Sequence, residues 1–290
     1  MRSYLLNRNL DEHIIVLFHG ICSTPLEFSS LKHYLTENGF TVITPIIKGY
    51  SHEEGPSSHW EDWSADAVEV VKNLIINHPN AKISVGGISM GAIIAMAVAQ
   101  NLDEIYSLIL LSAILKPDGW AIPWYRSLIP LAIFLGLGDK IKYPEQEPFG
   151  VKNPQMRAII KRGLKTKKVS EAGGDAMSIQ HLYEGSRLCK HVTKHLPEIT
   201  AHTLIIQAID DEIGTVKNTE TILNGINSKN IRVIYLGNSY HMITVDNERE
   251  TVNFEIAHFL ETAHINQNNL EDLFNGYGYV SPELQRYLKN

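Results

Sequence analysis

Cysteine is nearly missing. The 290 residues hold only Cys22 and Cys189, too few for a disulfide framework and without the CxxC spacing of a zinc or thiol-redox site. A reducing cytoplasm is the expected compartment. A basic excess is missing too: 26 lysines and arginines face 32 aspartates and glutamates, a formal net charge of −6, so no overall field exists to condense on phosphate backbones. That excludes nucleic acid as an expected partner. Nor is there a long apolar run. Met1 to His13 carries Arg2, Arg8, Asp11 and Glu12, so no targeting segment is expected there. The least charged stretch, Trp120 to Gly138, is interrupted by Pro123 and Pro130 and falls short of the roughly 20 apolar residues that span a bilayer. Repeats and low-complexity tracts are lacking as well. Hydrophobic residues are plentiful, 44% against 20% charged, which suits one domain with an insertion or two small domains.

Short β-branched runs alternate with stretches of helical period, the pattern of parallel strands joined by crossover helices. Ile14 to Phe18 is apolar without alternation, as in a strand covered on both faces. Thr24-Pro25-Leu26-Glu27 supplies an N-cap, a proline at the first helical position and a glutamate at the third; Phe28, Leu31 and Leu35 follow at helical spacing until Gly39. A strand is expected over Thr41 to Ile47. Trp63, Ala67, Val70, Val71, Leu74 and Ile75 form an amphipathic helical stripe. A strand at Ile83 to Val85 precedes a helix, Ala92 to Ala99, that is apolar all round and so belongs under others. The strand Ser107 to Ala113 ends the first half. From Ile114 to Leu196 the rhythm stops, which reads as an inserted cap. It returns with a strand at Thr203 to Ile209, a helix around Ile222 to Ile226, a strand at Ile231 to Leu236, and a helix carrying Val252, Ile256, Phe259 and Leu260. The expected layout is a core of residues 1–113 and 197–265, a cap of residues 114–196, and a polar C-terminal extension at 266–290.

Gly87-Ile88-Ser89-Met90-Gly91 falls between an expected buried strand and an expected buried helix, the setting of a nucleophile elbow. A serine at such a turn is strained, and its neighbours must be small because strand and helix pass close together. The bland alternative is a tight turn whose serine caps a helix. A serine hydroxyl needs a base and a group to orient that base. Of 13 histidines, His241 alone lies just beyond the last expected strand, at the carboxyl ends where Ser89 also falls. His13, His33, His78, His258 and His264 read as solvated. His191 and His195 could share a helix face, but no third ligand has metal spacing, so no metal is expected. Asp211 is the favoured acid; Asp210 and Asp118 remain alternatives, and either adjacent aspartate could instead cap a helix. Backbone N–H groups of Met90, at a helix N-terminus, and of Ile21, after Gly20, are the expected oxyanion donors.

Phe18-His19-Gly20, Gly87-Ile88-Ser89-Met90-Gly91, Asp211 and His241 stand in the order of the α/β-hydrolase superfamily. Within it the chain resembles compact bacterial carboxylesterases and monoacylglycerol lipases, through Pro45-Ile46-Ile47-Lys48-Gly49, Trp60-Glu61-Asp62-Trp63 and Ser239-Tyr240-His241-Met242-Ile243-Thr244-Val245-Asp246. The likeness spans roughly Ile14 to Leu260. It implies an α/β fold with a mostly parallel sheet, helices on both faces and a cap. It further implies Ser89 as nucleophile, Asp211 as acid, His241 as base and Ile21 and Met90 as the oxyanion hole. The reaction implied is ester hydrolysis through an acyl-enzyme, without cofactor or metal. Tyr50-Ser51, where histidine-glycine is usual, and Tyr240, where glycine is common, depart from the pattern.

In the cap, Trp120, Trp124 and Phe134 are candidates to line an acyl pocket, with neighbours from Ile122 to Leu135; equally, these side chains could form the cap's own small core. Lys161, Arg162, Lys165, Lys167 and Lys168 read as a solvated face, the alternative being contact with an anionic membrane. The expected partner is a small-molecule ester. Thioester or other acyl hydrolysis, or acyl transfer, is open to the same triad, and a non-catalytic ligand-binding protein is the alternative from another class. The sequence carries no signal for an oligomeric state.

Overall fold

The computed structural model describes residues 13–52, 58–170 and 172–262. The expected N-terminal segment before residue 13, His264 and the extension at 266–290 lie outside them.

Six strands form the central sheet: β1 (His13–Phe18), β2 (Thr41–Ile43), β3 (Lys82–Ile88), β4 (Ser107–Leu111), β9 (His202–Ala208) and β10 (Ile231–Leu236). Their order is β10-β9-β4-β3-β1-β2, and every pairing is parallel. Successive side chains of a strand leave on opposite faces, so the apolar runs feed two cores. Ile14, Val16 and Phe18 pack with α2 (Trp60–Asn77) and α3 (Met90–Asn101); Ile15 and Leu17 pack with α1 (Ser29–Glu37) and α8 (Arg249–Thr262). Gly91 to Ala99 are all buried, as the apolar composition of that helix requires. Each fully buried aliphatic side chain there contributes about 1.5–3 kcal/mol.

Several points differ from the sequence reading. β2 stops at Ile43 because Pro45 has no N–H for the ladder and this is an edge strand. β3 runs to Ile88, taking in Gly86 and Gly87. His13 is buried, its Nε2 2.8 Å from Ser84 Oγ, rather than solvated. The turn at Thr24 begins as a 3-10 helix, Pro25–Phe28, and the α-helix starts only at Ser29. Thr24 does cap it, accepting from Leu26 N at 3.3 Å, but Glu27 turns inward and accepts from Gly20 N at 2.8 Å.

The cap between β4 and β9 has regular structure after all. A 3-10 turn at Trp124–Leu128 leads into α4 (Ile129–Phe134); β5 (Lys142–Pro144) pairs with β8 (Ala176–Ser178), and β6 (Val169–Ser170) with β7 (Gly173–Gly174). Between them lies α5 (Pro154–Lys167), and α6 (Ile179–Lys194) closes the segment. Leu188, Cys189 and Val192 of α6 join the same core as α3. α7 (Lys217–Gly225) connects β9 to β10.

Candidate active site

At the carboxyl end of β3 the backbone of Ser89 has φ +56° and ψ −121°, a left-handed φ that costs on the order of 1–3 kcal/mol in a non-glycine residue. Close packing maintains it. A Cβ on Gly91 would overlap the carbonyl oxygens of Phe18 and His19, and one on Gly87 would overlap the backbone of Gly91. Ser89 N donates to Leu111 O at 2.9 Å, which ties the turn to β4. The elbow is thus pressed against the end of β1, where the loop carrying Ile21 begins.

That loop is held on every side. Tyr50 Oη donates to His19 O at 2.6 Å, Gly20 N donates to Glu27 Oε2 at 2.8 Å, and Ser23 N donates to Gly20 O at 3.2 Å. The His19 ring lies 2.7 Å from Gly20 O through Nδ1 and 2.9 Å from Ser51 Oγ through Nε2. Only an Nδ1–H tautomer fits a carbonyl partner, so Ser51 donates to Nε2 while accepting from Ile47 N at 2.9 Å. Burial takes His19 down to about 4, against the pull of the Gly20 carbonyl, which keeps the ring neutral. Tyr50 and Ser51, the departure from the usual histidine-glycine, therefore brace this loop.

Beyond β9, Asp211 is 3% exposed. Its Oδ2 lies 2.8 Å from His241 Nδ1 and accepts from Gln207 Nε2 at 2.8 Å; its Oδ1 accepts from Ile213 N and Gly214 N at 2.9 and 3.0 Å. Asp210 points outward and pairs with Lys152 at 2.8 Å, while Asp118 binds Thr215 N at 2.7 Å and Thr215 Oγ1 at 2.8 Å. Asp211 is thus the one of the three candidates that touches the imidazole. His241 is fixed further by its own backbone: its N donates to Glu212 Oε2 at 3.1 Å, and its O accepts from Ser112 Oγ at 2.7 Å, Ser112 having φ +44°. Burial lowers the pKa of His241, but the charge and hydrogen bond of Asp211, then the charges of Glu212 and Glu27, outweigh it and raise it to about 9.

Ser89, Met90, Ile21 and His241 line one cavity of about 580 Å3. Its apolar wall comes from the cap, with Ile122, Tyr125, Leu128, Ile129 and Ala132 on it. Trp120, Trp124 and Phe134 do not line it; they are 65%, 82% and 85% exposed on the outer side of the same turns. Along the 3-10 turn and α4 the wall is taken by Tyr125, Leu128, Ile129 and Ala132, which recur at the three- and four-residue spacing of one helical face. No residue of the 3-10 turn or of α4 is buried, so these side chains do not form a cap core either. Glu27, Glu145, Glu147 and Glu212 also line the cavity. Burial raises Glu27 and Glu145 to about 7 and raises Glu212, whereas the hydrogen bond and charge of Lys161 lower Glu147.

Sequence reasoning missed Glu27, Tyr50, Ser112 and Glu212. Glu27 was visible only as a capping glutamate, and Glu212 only as the neighbour of the acid pair. His191 and His195 have ring centroids 4.3 Å apart. Among the described residues, one trio brings potential metal-ligand atoms together: His59, Glu61 and Glu184. Arg187 already bridges its two carboxylates, at 3.1 and 2.8 Å, and supplies the positive charge there.

A parallel sheet in this order, with a strained serine between strand and helix and a histidine-carboxylate pair beyond later strands, defines an α/β-hydrolase. A model of the family described as serine aminopeptidase, S33, matches residues 11–249, and the chain belongs to that family. It is 24% identical over 240 residues to the thermostable monoacylglycerol lipase of Bacillus sp. (strain H-257), covering 82% of this chain and 86% of that one. It is 21% identical over 266 residues to a carboxylesterase of Bacillus subtilis (strain 168), covering 85% and 92%. The fold matches the monoglyceride lipase of Saccharomyces cerevisiae with a TM-score of 0.73 at 15% identity, over 89% and 88% of the two chains.

Proposed function

We propose that the chain is a serine hydrolase of carboxylic esters with short to medium acyl chains, monoacylglycerols among them. The observation that carries this is the 2.8 Å contact of Asp211 with His241 Nδ1, which directs Nε2 of a ring that lines the same cavity as Ser89. Ser89 Oγ attacks the ester carbonyl while its proton passes to His241 Nε2. The N–H groups of Ile21 and Met90 receive the developing oxyanion. The carbon–oxygen bond to the alcohol then breaks, and His241 returns the proton to the departing alkoxide. Water, deprotonated by the same imidazole, attacks the acyl-enzyme and releases the acid and free Ser89. Asp211 keeps the imidazole in its tautomer and stabilises the imidazolium.

The lipase and esterase names of the two sequence relatives support an ester over an amide, and the apolar cap wall supports an acyl chain. We read residues 1–113 and 197–265 as the hydrolase core and 114–196 as the cap over the acyl chain. Two free, buried cysteines support a cytoplasmic setting. No helix among the described residues is long and apolar enough to cross a membrane. A fluorophosphonate adduct, located by intact mass and peptide mapping, is expected on Ser89. Folded protein that remains unlabelled would turn the reading toward a non-catalytic ligand binder. A panel of nitrophenyl esters, acyl-CoA thioesters and aryl amides separates ester hydrolysis from the other acyl reactions of the same triad.

A further inference from the structure

Glu27 is a buried carboxylate, 3% exposed, that the reaction as described does not use. Its Oε2 accepts the Gly20 N–H at 2.8 Å, and its other oxygen lies 3.3 Å from where a Cβ of Gly20 would stand. On the far side the cap closes over it: β7 brings Gly173 so near that a Cβ there would sit 3.1 Å from Ser23 Oγ and 3.8 Å from Glu27 Oε1. The same hairpin donates Gly174 N to Cys22 O at 3.2 Å. A capping glutamate at the first turn of a helix would be solvated at almost no cost. Burying a carboxylate with no lysine or arginine bound to it is expensive, and such placements mark groups that serve a site.

We propose that Glu27 is the positioning residue of the oxyanion loop: its carboxylate anchors the Gly20 amide, so that the next N–H, that of Ile21, is presented to the cavity that Glu27 and His241 both line. The proposal rests on the ester-hydrolase reading. The loop is short, from the end of β1 at Phe18 to the 3-10 turn at Pro25, and Glu27 is the side chain of that turn that reaches back across it. Tyr50 and His19 hold the carbonyls of His19 and Gly20, and Cys22 N and Ser23 N donate to Tyr50 O and Gly20 O at 3.0 and 3.2 Å; the Gly20 N–H is held by Glu27. Losing it leaves the His19–Gly20 peptide, next to Ile21, anchored at its carbonyl alone, and oxyanion donors act only when held in place before the reaction. The charge matters as well. Glu27, Asp211 and Glu212 all favour the imidazolium of His241, while Glu145 and Tyr50 are raised by Glu27 across the cavity and behind the loop. Burial holds Glu27 itself at about 7, with the Ser23 hydroxyl, the Gly20 N–H and His241 acting the other way.

The test is steady-state hydrolysis of p-nitrophenyl butyrate by the full chain between pH 6 and 10, for wild type, Glu27→Ala and Glu27→Gln, with folding checked by circular dichroism. Glu27→Ala is expected to lower kcat by about 10²-fold with KM changed less than about threefold, the signature of a lost oxyanion donor. Glu27→Gln, whose amide oxygen accepts the same N–H, is expected to recover at least about tenfold of that loss. It should also move the rise of kcat/KM to lower pH, because one negative charge facing His241 is gone. A wild-type kcat in Glu27→Ala would overturn the proposal. So would a glutamine variant no better than alanine, or one whose pH profile does not move. If Glu27→Ala does not fold, the glutamine pH profile decides alone. A wild-type enzyme without esterase activity would sink the functional reading instead, so the two failures are told apart.

Discussion

Two apolar stretches, α3 in the core and the 3-10 turn with α4 in the cap, are treated in opposite ways. α3 carries nine consecutive buried residues, Gly91 to Ala99, behind Ser89; the 3-10 turn and α4 of the cap bury none and hold Trp124 and Phe134 more than four-fifths exposed. Packing on all sides fixes the backbone of Ser89. The cap is held where α6 joins one core, where Phe149, Val151 and Ile160 join the other, and where the β6–β7 hairpin meets the loop after β1. On the proposed function, the sheet would carry the reaction and the inner strip of the cap the choice of acyl chain.

Substitutions sharpen that division. Ser89→Ala should lower kcat by roughly 10⁶-fold, because a triad fails as a unit; esterase activity near wild type in stopped assays would refute the assignment. Asp211→Asn should cost about 10⁴-fold by favouring the wrong imidazole tautomer, whereas Asp210→Asn, on the surface partner of Lys152, should stay within about twofold. Equal losses at both positions would contradict the geometry. The base must be neutral, and His241 sits at about 9, so kcat/KM should climb as pH rises toward that value. Glu212→Gln removes one of the charges that hold it up, so the climb should move to lower pH, and an unmoved profile would break the link. On the cap side, Ile129→Trp should cut kcat/KM for long-chain esters about tenfold while sparing acetate. Trp124→Ala should leave short, water-soluble esters within about twofold. Charge reversal at Lys165 and Lys167, both exposed on α5, should not alter co-sedimentation with anionic relative to neutral vesicles if that run is only a solvated face.

How much of this was legible in advance followed from how local each signal is. The elbow could be read because glycine, serine and glycine occur together between two strongly apolar segments. All six sheet strands were expected, with ends that differ by up to a few residues, since a strand covered on both faces leaves a continuous apolar run. α6 was not legible because its inward face includes His181 and Glu184, 8% and 1% exposed, where the helical pattern expects apolar residues. Those groups are satisfied by Gly49 O at 3.1 Å, which only the folded chain brings near, and by Arg187 at 2.8 Å, one turn further along the same helix. Asp210 and Asp211 could not be told apart because the turn after β9 decides which carboxylate points inward. Ser112 reaches a histidine carbonyl 129 positions away. Contacts of that kind have no sequence signature at all.

Strand β9 lies between β4 and β10 in the sheet, although the whole cap intervenes in the chain before it is made. During synthesis, a polypeptide that has emerged as far as α3 already displays its serine. On the proposed assignment nothing can yet take the proton from it, because Asp211 and His241 follow the cap, and the serine waits without a base until the segments beyond β9 and β10 have been made.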